Sequence, residues 1–182
     1  MSIPFRERES FHPTFVYNIN FPPNSLTTIY IRSHALFGFN AFRLFTPQEF
    51  ELETISTFSI LGVMLGLALV LIALSIPIAI VLKDLAFVYF PFYVIFAGLG
   101  LGLNRGTTAM LFWPDAPHKA LEWGGPIFGI HVFLAGAFLI SFLRFKEYFP
   151  RLYKFVWFTN FTAVLFGFCI KYAVLPASGT PL

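Results

Sequence analysis

The sequence predicts a mixed membrane protein, a partial antiparallel β-sandwich followed by a four-helix transmembrane bundle. Three observations predict it. Of the 182 residues, 57% are hydrophobic and only 12% charged, about half the charge of an ordinary soluble domain, and mean hydropathy is +0.75. Four long uncharged runs follow one another from residue 58 onward. Before residue 57 the pattern is instead short stretches of alternating apolar and polar residues. So little charge cannot coat a water-soluble globule, which excludes a soluble enzyme, a disordered tail and a nucleic-acid binder. The net charge of +3 is spread over few, scattered residues, as basic flanks of a membrane protein would be. The single cysteine, Cys169, excludes a disulfide framework and a cysteine-based zinc site within one chain.

Residues 1–57 form the first predicted region and 58–182 the second. The first holds five of the nine acidic residues, Glu7, Glu9, Glu49, Glu51 and Glu53. In Thr14-Phe-Val-Tyr-Asn-Ile-Asn20 the residues Phe15, Tyr17 and Ile19 share one face. Pro22-Pro23-Asn24-Ser25 is a turn signal. Thr27-Thr-Ile-Tyr-Ile-Arg-Ser33 is β-branched and aromatic, and Phe42 and Leu44 alternate with Arg43 and Phe45. Three or four antiparallel strands are expected, part of a sandwich that normally needs seven or eight.

The second region is read as four spans, at about 58–82, 85–104, 123–143 and 155–175. The first is 25 residues without a charge, enough to cross a hydrocarbon core of about 30 Å. Pro77 lies inside it and removes one backbone hydrogen bond, so a kink is expected there. Lys171 in the last span is placed to snorkel toward headgroups. The loop at 144–154 holds four basic residues in eleven, Arg144, Lys146, Arg151 and Lys154, which assigns it to the cytoplasm. Four spans then put both termini in the periplasm of a bacterial inner membrane. Arg6-Glu7-Arg8-Glu9 stands where a secretory signal would be apolar, so a signal peptide and further strands are expected upstream.

Candidate functional residues are few. Gly62/Gly66, Gly98/Gly102 and Gly125/Gly129 are small residues four apart, which let helix backbones approach closely in a membrane. They serve either a moving interface or static packing. His131 is the one obvious ionisable residue inside a span, and such residues are functional suspects. A proton relay would need a carboxylate at the same depth, but Asp84, Asp115 and Glu122 sit at loop positions. Hydrogen bonding to a neighbouring helix is the simpler role, as it is for Asn160. Trp113 and Asp115 in Phe112-Trp-Pro-Asp115, with Trp123, sit at the membrane boundary, where tryptophan anchors. With His118 and Glu122 they are also placed to receive a signal or ligand. Their spacing matches no metal-ligand pattern. Tyr30, Arg32, Tyr17 and His34 are positioned to meet a sugar or a carboxylate from the strands. No catalytic cluster is visible, so no enzyme activity, metal or cofactor is expected.

An ordered set of features runs from about residue 4 to 170. Leu26-Thr-Thr-Ile-Tyr-Ile-Arg-Ser33 precedes Phe42-Arg-Leu and a Phe50-Glu-Leu-Glu linker. Gly62-Val-Met-Leu-Gly66, Lys83-Asp-Leu-Ala-Phe-Val-Tyr89 and Tyr93 come next. Gly106, Leu111-Phe-Trp-Pro-Asp115, Phe138-Leu-Ile-Ser-Phe-Leu143 and Tyr148-Phe-Pro-Arg-Leu152 complete it. The set resembles the bacterial seven-transmembrane receptors with diverse intracellular signalling modules. The resemblance implies a periplasmic jelly-roll sensor domain, seven helices and a cytoplasmic output domain such as a diguanylate cyclase or a histidine kinase. The chain departs from that pattern: four spans, the last sensor strands only, no output domain, and Ser75-Ile-Pro77 where a Tyr-Asn pair is expected.

The expected function is therefore sensor-to-membrane coupling in a bacterial signal-transduction receptor, carried by a fragment of it. The expected partners are the lipid bilayer, a small-molecule or carbohydrate ligand through the complete sensor domain, and further copies in a homo-oligomer, with no nucleic acid. The alternative is a small integral-membrane transporter or transporter subunit, for which Pro77, His131 and Asn160 are the only hints.

Overall fold

The computed structural model describes residues 3–24, 26–31 and 42–178, with side chains described to residue 172. Among the described residues a short 3-10 turn at Phe5–Glu7 is followed by six helices: α1 (Pro47–Leu82), α2 (Ala86–Arg105), α3 (Thr107–Phe112), α4 (His118–Phe142), α5 (Phe145–Tyr148) and α6 (Pro150–Ser178). By contacts the chain falls into two compact units, residues 17–64 and residues 1–16 with 65–182.

In the unit 17–64 the predicted partial β-sandwich is absent: no described residue is in a strand. The turn falls at Pro23 and Asn24 as its residues imply, and the described residues on either side of it, 15–22 and 26–31, have no regular secondary structure. A sheet, however, needs neighbouring strands and a buried face. Tyr17 and Tyr30 remain 66% and 92% exposed, so no such face is buried among the described residues. Arg32 and His34 lie outside the described residues.

Helix α1 starts eleven residues ahead of the predicted span, for a local reason. Thr46 and Glu49 form a reciprocal capping box. Glu49 N–H donates to Thr46 Oγ1 (3.3 Å) and Thr46 N–H donates to Glu49 Oε2 (2.9 Å). Pro47 takes the first helical position, where its missing N–H costs nothing. Phe45 and Phe50, one on each side of the cap, hold their rings 6.4 Å apart, the hydrophobic staple that fixes the entry of the chain. The linker 50–57 is thus helical and continuous with the apolar run, and the helix continues through Pro77 to Leu82.

In the other unit, α4 is the shared wall, packed against α2 and α6. The turn from α1 to α2 places Lys83 at φ +51°, and Asp84 Oδ1 accepts the Ala86 N–H (2.9 Å) to cap α2. Arg144, between α4 and α5, likewise has φ +49°. Between α2 and α4, the Phe90 and Phe138 rings lie 5.4 Å apart and Tyr93 stacks on His131 at 5.0 Å. Between α4 and α6, Phe133 meets Trp157 and Phe161 edge-on at 5.5 and 5.7 Å. Gly125 faces the Gly167 backbone, Gly129 faces the Ala163 backbone and Gly136 faces the Asn160 side-chain amide. Lys171 Nζ lies 3.7 Å over the Trp123 ring and ties α6 to α4 near one end of the pair.

The glycine pairs have different surroundings. A Cβ on Gly129 would lie 2.8 Å from Ala163 O and 3.1 Å from Val164 Cα, both backbone atoms that cannot yield. Gly62, Gly66 and Gly98 have nothing within 4 Å of that position. Gly129→Leu is therefore expected to destabilise the folded chain in detergent by at least about 1–3 kcal/mol, the usual range for overpacking. Gly98→Leu should stay within about 0.5 kcal/mol, as exposed substitutions do. Thermal unfolding of the two variants in the same micelle checks the contrast.

Candidate functional site

Two places in the unit 1–16 with 65–182 gather the polar and aromatic groups that a signalling role would use. The first is the corner where α2 hands over to α3 and α4. Gly106 ends α2 with φ +78°, a left-handed conformation that only glycine adopts without cost. Its N–H donates to Leu103 O (3.1 Å). The next two side chains turn back onto α2: Thr107 Oγ1 donates to Gly102 O (3.2 Å) and Thr108 Oγ1 to Leu99 O (2.9 Å). Both threonines are buried; the Thr107 hydroxyl occupies a carbonyl that the end of the helix leaves unsatisfied, and the Thr108 hydroxyl reaches one a turn further in. Gly102 has no room for a Cβ because Thr108 Oγ1 fills that space. Helix α3 is thereby fixed to the last turn of α2.

The N-terminal segment lies on this corner. Phe5 is 2% exposed and its N–H donates to Pro114 O (2.8 Å). Arg6 pairs with Asp115 at 3.3 Å, both side chains largely exposed, so this pair contributes little, roughly 0–1 kcal/mol. Burying the Phe5 ring contributes more, about 1.5–3 kcal/mol. The Pro13 carbonyl lies over Gly106, so close that a Cβ there would come within 2.6 Å of the oxygen. Arg8 joins the two contacts. Its guanidinium sits 3.6 Å from the Phe5 ring centre and 4.2 Å from that of Phe15, and donates to the carbonyls of Ile3, His12 and Pro13.

The second place is the interior of the α2–α4–α6 stack. Asn160 is 3% exposed and its amide packs on Gly136. His131 Nδ1, Trp157 Nε1 and Asn160 Nδ2 are buried with no hydrogen-bond partner among the described residues. In hydrocarbon such groups hold a free-energy cost. Any helix arrangement that offers them a hydrogen-bond partner is favoured over one that does not.

The structure brings some of the sequence-predicted residues together and separates others. Trp113 ends α3, its ring 6.1 Å from Phe112, beside Asp115 at the corner. His131 and Asn160 lie on α4 and α6, in the interior. Gly102 belongs to the corner, Gly125 and Gly129 to the α4–α6 contact, and Gly62, Gly66 and Gly98 face open space. Tyr30 is exposed in the other unit. No group of three metal-ligating residues occurs among the described residues. Phe5, Pro13, Thr107, Thr108, Gly136, Gly167 and Trp157 were not among the candidates. The spacing of Gly125, Gly129 and Gly136, four and then seven residues, marks one helix face and was a signal for Gly136. Nothing in the sequence pairs Phe5 with Pro114.

Four of the helices, Pro47–Leu82, Ala86–Arg105, His118–Phe142 and Pro150–Tyr172, are long and apolar enough to cross a membrane. Four such helices in one chain define a multi-pass membrane protein. The chain belongs to the 7TM diverse intracellular signalling family, whose sequence model matches residues 57–179. No curated protein and no solved structure matches the chain. The family's description names seven spans, and the described residues hold four.

The docked N-terminal segment has a pH signature. Burial pushes the His12 ring below its ordinary pKa, and Thr14 N–H donates to His12 Nδ1 (3.2 Å). The Arg8 guanidinium lies 3.4 Å from His12 O. A folded value below the unfolded one means that the docked segment binds fewer protons than the free one. Its stability is therefore full above the unfolded histidine value, about 6.5, and is lost as pH falls through the lowered folded value. A ring titration by NMR should give a lower midpoint for His12 in the whole chain than in a peptide of residues 1–16.

Proposed function

We propose that the chain couples a ligand-binding domain outside the membrane to the packing of its membrane helices, as the transmembrane part of a bacterial signalling receptor. The observation that carries this reading is α1. It is one unbroken helix of 36 residues from a capped, charged start to Leu82, about 54 Å long at 1.5 Å per residue. In this reading a displacement at the capped end is passed along the helix toward the membrane. Coupling also requires that the two states of the receptor differ in helix contacts. The buried groups of His131, Trp157 and Asn160 supply such a difference whenever one arrangement gives them partners. The chain transmits and carries out no reaction of its own. A small-molecule or carbohydrate ligand acts through the outer domain, and copies of the chain associate in the bilayer of the inner membrane.

Both termini lie in the periplasm in this reading, and the basic loop at 144–154 in the cytoplasm. The docking of residues 3–16 on residues 106–115 supports the parity, because α1 and α2 lie between them and two spans return a chain to the same side. Single cysteines at Lys119 and Glu147, in a Cys169→Ser background, should label oppositely in intact cells with an impermeant thiol reagent. Labelling at Glu147 from outside would overturn the orientation.

The rod itself is measurable. Spin labels at Gln48→Cys and Ile80→Cys in the same background are 32 residues apart, about 48 Å along a straight helix at 1.5 Å per residue. A single narrow distance near that value supports rigid coupling. A broad distribution reaching much shorter distances means a flexible linker and removes the basis of the proposal.

A further inference from the structure

We infer that residues 3–16 form a latch that holds the short helix α3 at both ends, so that the chain's own N-terminal segment sets the geometry of the corner between α2 and α4. At the C-terminal end of α3, Phe5 is buried and its backbone N–H is bonded to Pro114 O (2.8 Å). At the N-terminal end, the buried Pro13 places its carbonyl against Gly106. One guanidinium, that of Arg8, serves both ends. It lies on the Phe5 ring at 3.6 Å and donates to Pro13 O at 3.5 Å. The two contacts therefore form one unit and not two independent anchors.

What the latch holds is itself a junction. Helix α3 is bonded to α2 through Thr107 and Thr108. It passes on to α4 through the turn in which Ala116 N–H donates to Trp113 O (3.2 Å) and Lys119 N–H to Ala116 O (3.0 Å). Helix α4 is in turn the element against which α2 and α6 pack. A pull on the chain that follows Val16 is delivered to this junction directly, along a route separate from α1. Gly106 is what makes the route close-fitting, since any side chain there would push the Pro13 carbonyl away. The use of the latch in signalling rests on the receptor reading above, whereas the latch is a property of the fold alone.

Hydrogen exchange of the full chain in detergent tests it. Phe5→Ala is expected to speed exchange of the amides in 106–117 by about tenfold or more, the effect of losing one buried aromatic ring on a local opening. Amides at 127–140 in α4 should be unchanged. Arg8→Met keeps the apolar stem and removes the guanidinium, and it should loosen both 106–109 and 113–117. Unchanged exchange at 106–117 in Phe5→Ala would overturn the latch, and so would equal acceleration throughout α4. If Arg8→Met frees one end of α3 and leaves the other protected, the two contacts are independent and the single-unit latch fails. The experiment reads no signal output, so its failure leaves the receptor reading standing. The labelling and distance experiments above can fail while the latch survives.

Discussion

The close approach of α4 to α6 is the constraint on which the rest of this bundle depends. In a bilayer no hydrophobic force draws helices together, because lipid tails are as apolar as leucine. What remains is van der Waals contact between backbones and side chains that fit, together with the polar groups enclosed. Gly125, Gly129 and Gly136 on α4, opposite Gly167, Ala163 and Asn160 on α6, allow that fit. Once this pair is set, the opposite side of α4 presents His131 and Phe138 to Tyr93 and Phe90, and α2 packs there. Helix α3 and the N-terminal segment then have a fixed surface on which to settle.

The enclosed polar groups give this packing its instability as well as its order. A bundle filled with leucine and alanine would have nothing to gain from rearranging. Here the indole N–H of Trp157, the amide nitrogen of Asn160 and Nδ1 of His131 have no hydrogen-bond partner among the described residues. Each unmet bond is worth on the order of 1 kcal/mol in a membrane. That is small beside the whole packing energy but comparable to the difference between two states of a switch.

The spans were legible in the sequence because length and lack of charge mark them, and the four runs lie on α1, α2, α4 and α6, with only Leu85 and Leu143 outside the helix ends. The start of α1 was legible too, in Thr46-Pro-Gln-Glu49, but the local signal was overshadowed by the apolar run that follows. The β reading failed over the described residues 14–24 and 26–31 for a different reason. Alternation specifies which side chains would share a face of a strand, while a sheet also requires a neighbour in register, which no single segment encodes. The glycine pairs show the same limit. Gly98/Gly102 and Gly125/Gly129 have identical spacing, yet Gly98 faces open space and Gly129 faces the backbone of α6. Spacing marks a face that permits close approach, and the path of the rest of the chain decides what approaches it. The contact of Phe5 with Pro114 joins residues more than a hundred positions apart and leaves no local trace.

The turns that lead from α1 to α2 and from α4 to α5 share an oddity. Each puts a cation, Lys83 or Arg144, in the left-handed backbone region, where a residue with a side chain is strained by about 1–2 kcal/mol. Glycine would relax both turns. With two spans between them, the two residues stand on one face of the bilayer, at the ends of apolar helices, where lysine and arginine bias which way a chain inserts. The strain and the orientation signal thus occupy the same two positions. A gain in ease of turning would be a loss of address, so these turns are stiffer to form than they need be for folding alone and better marked for insertion.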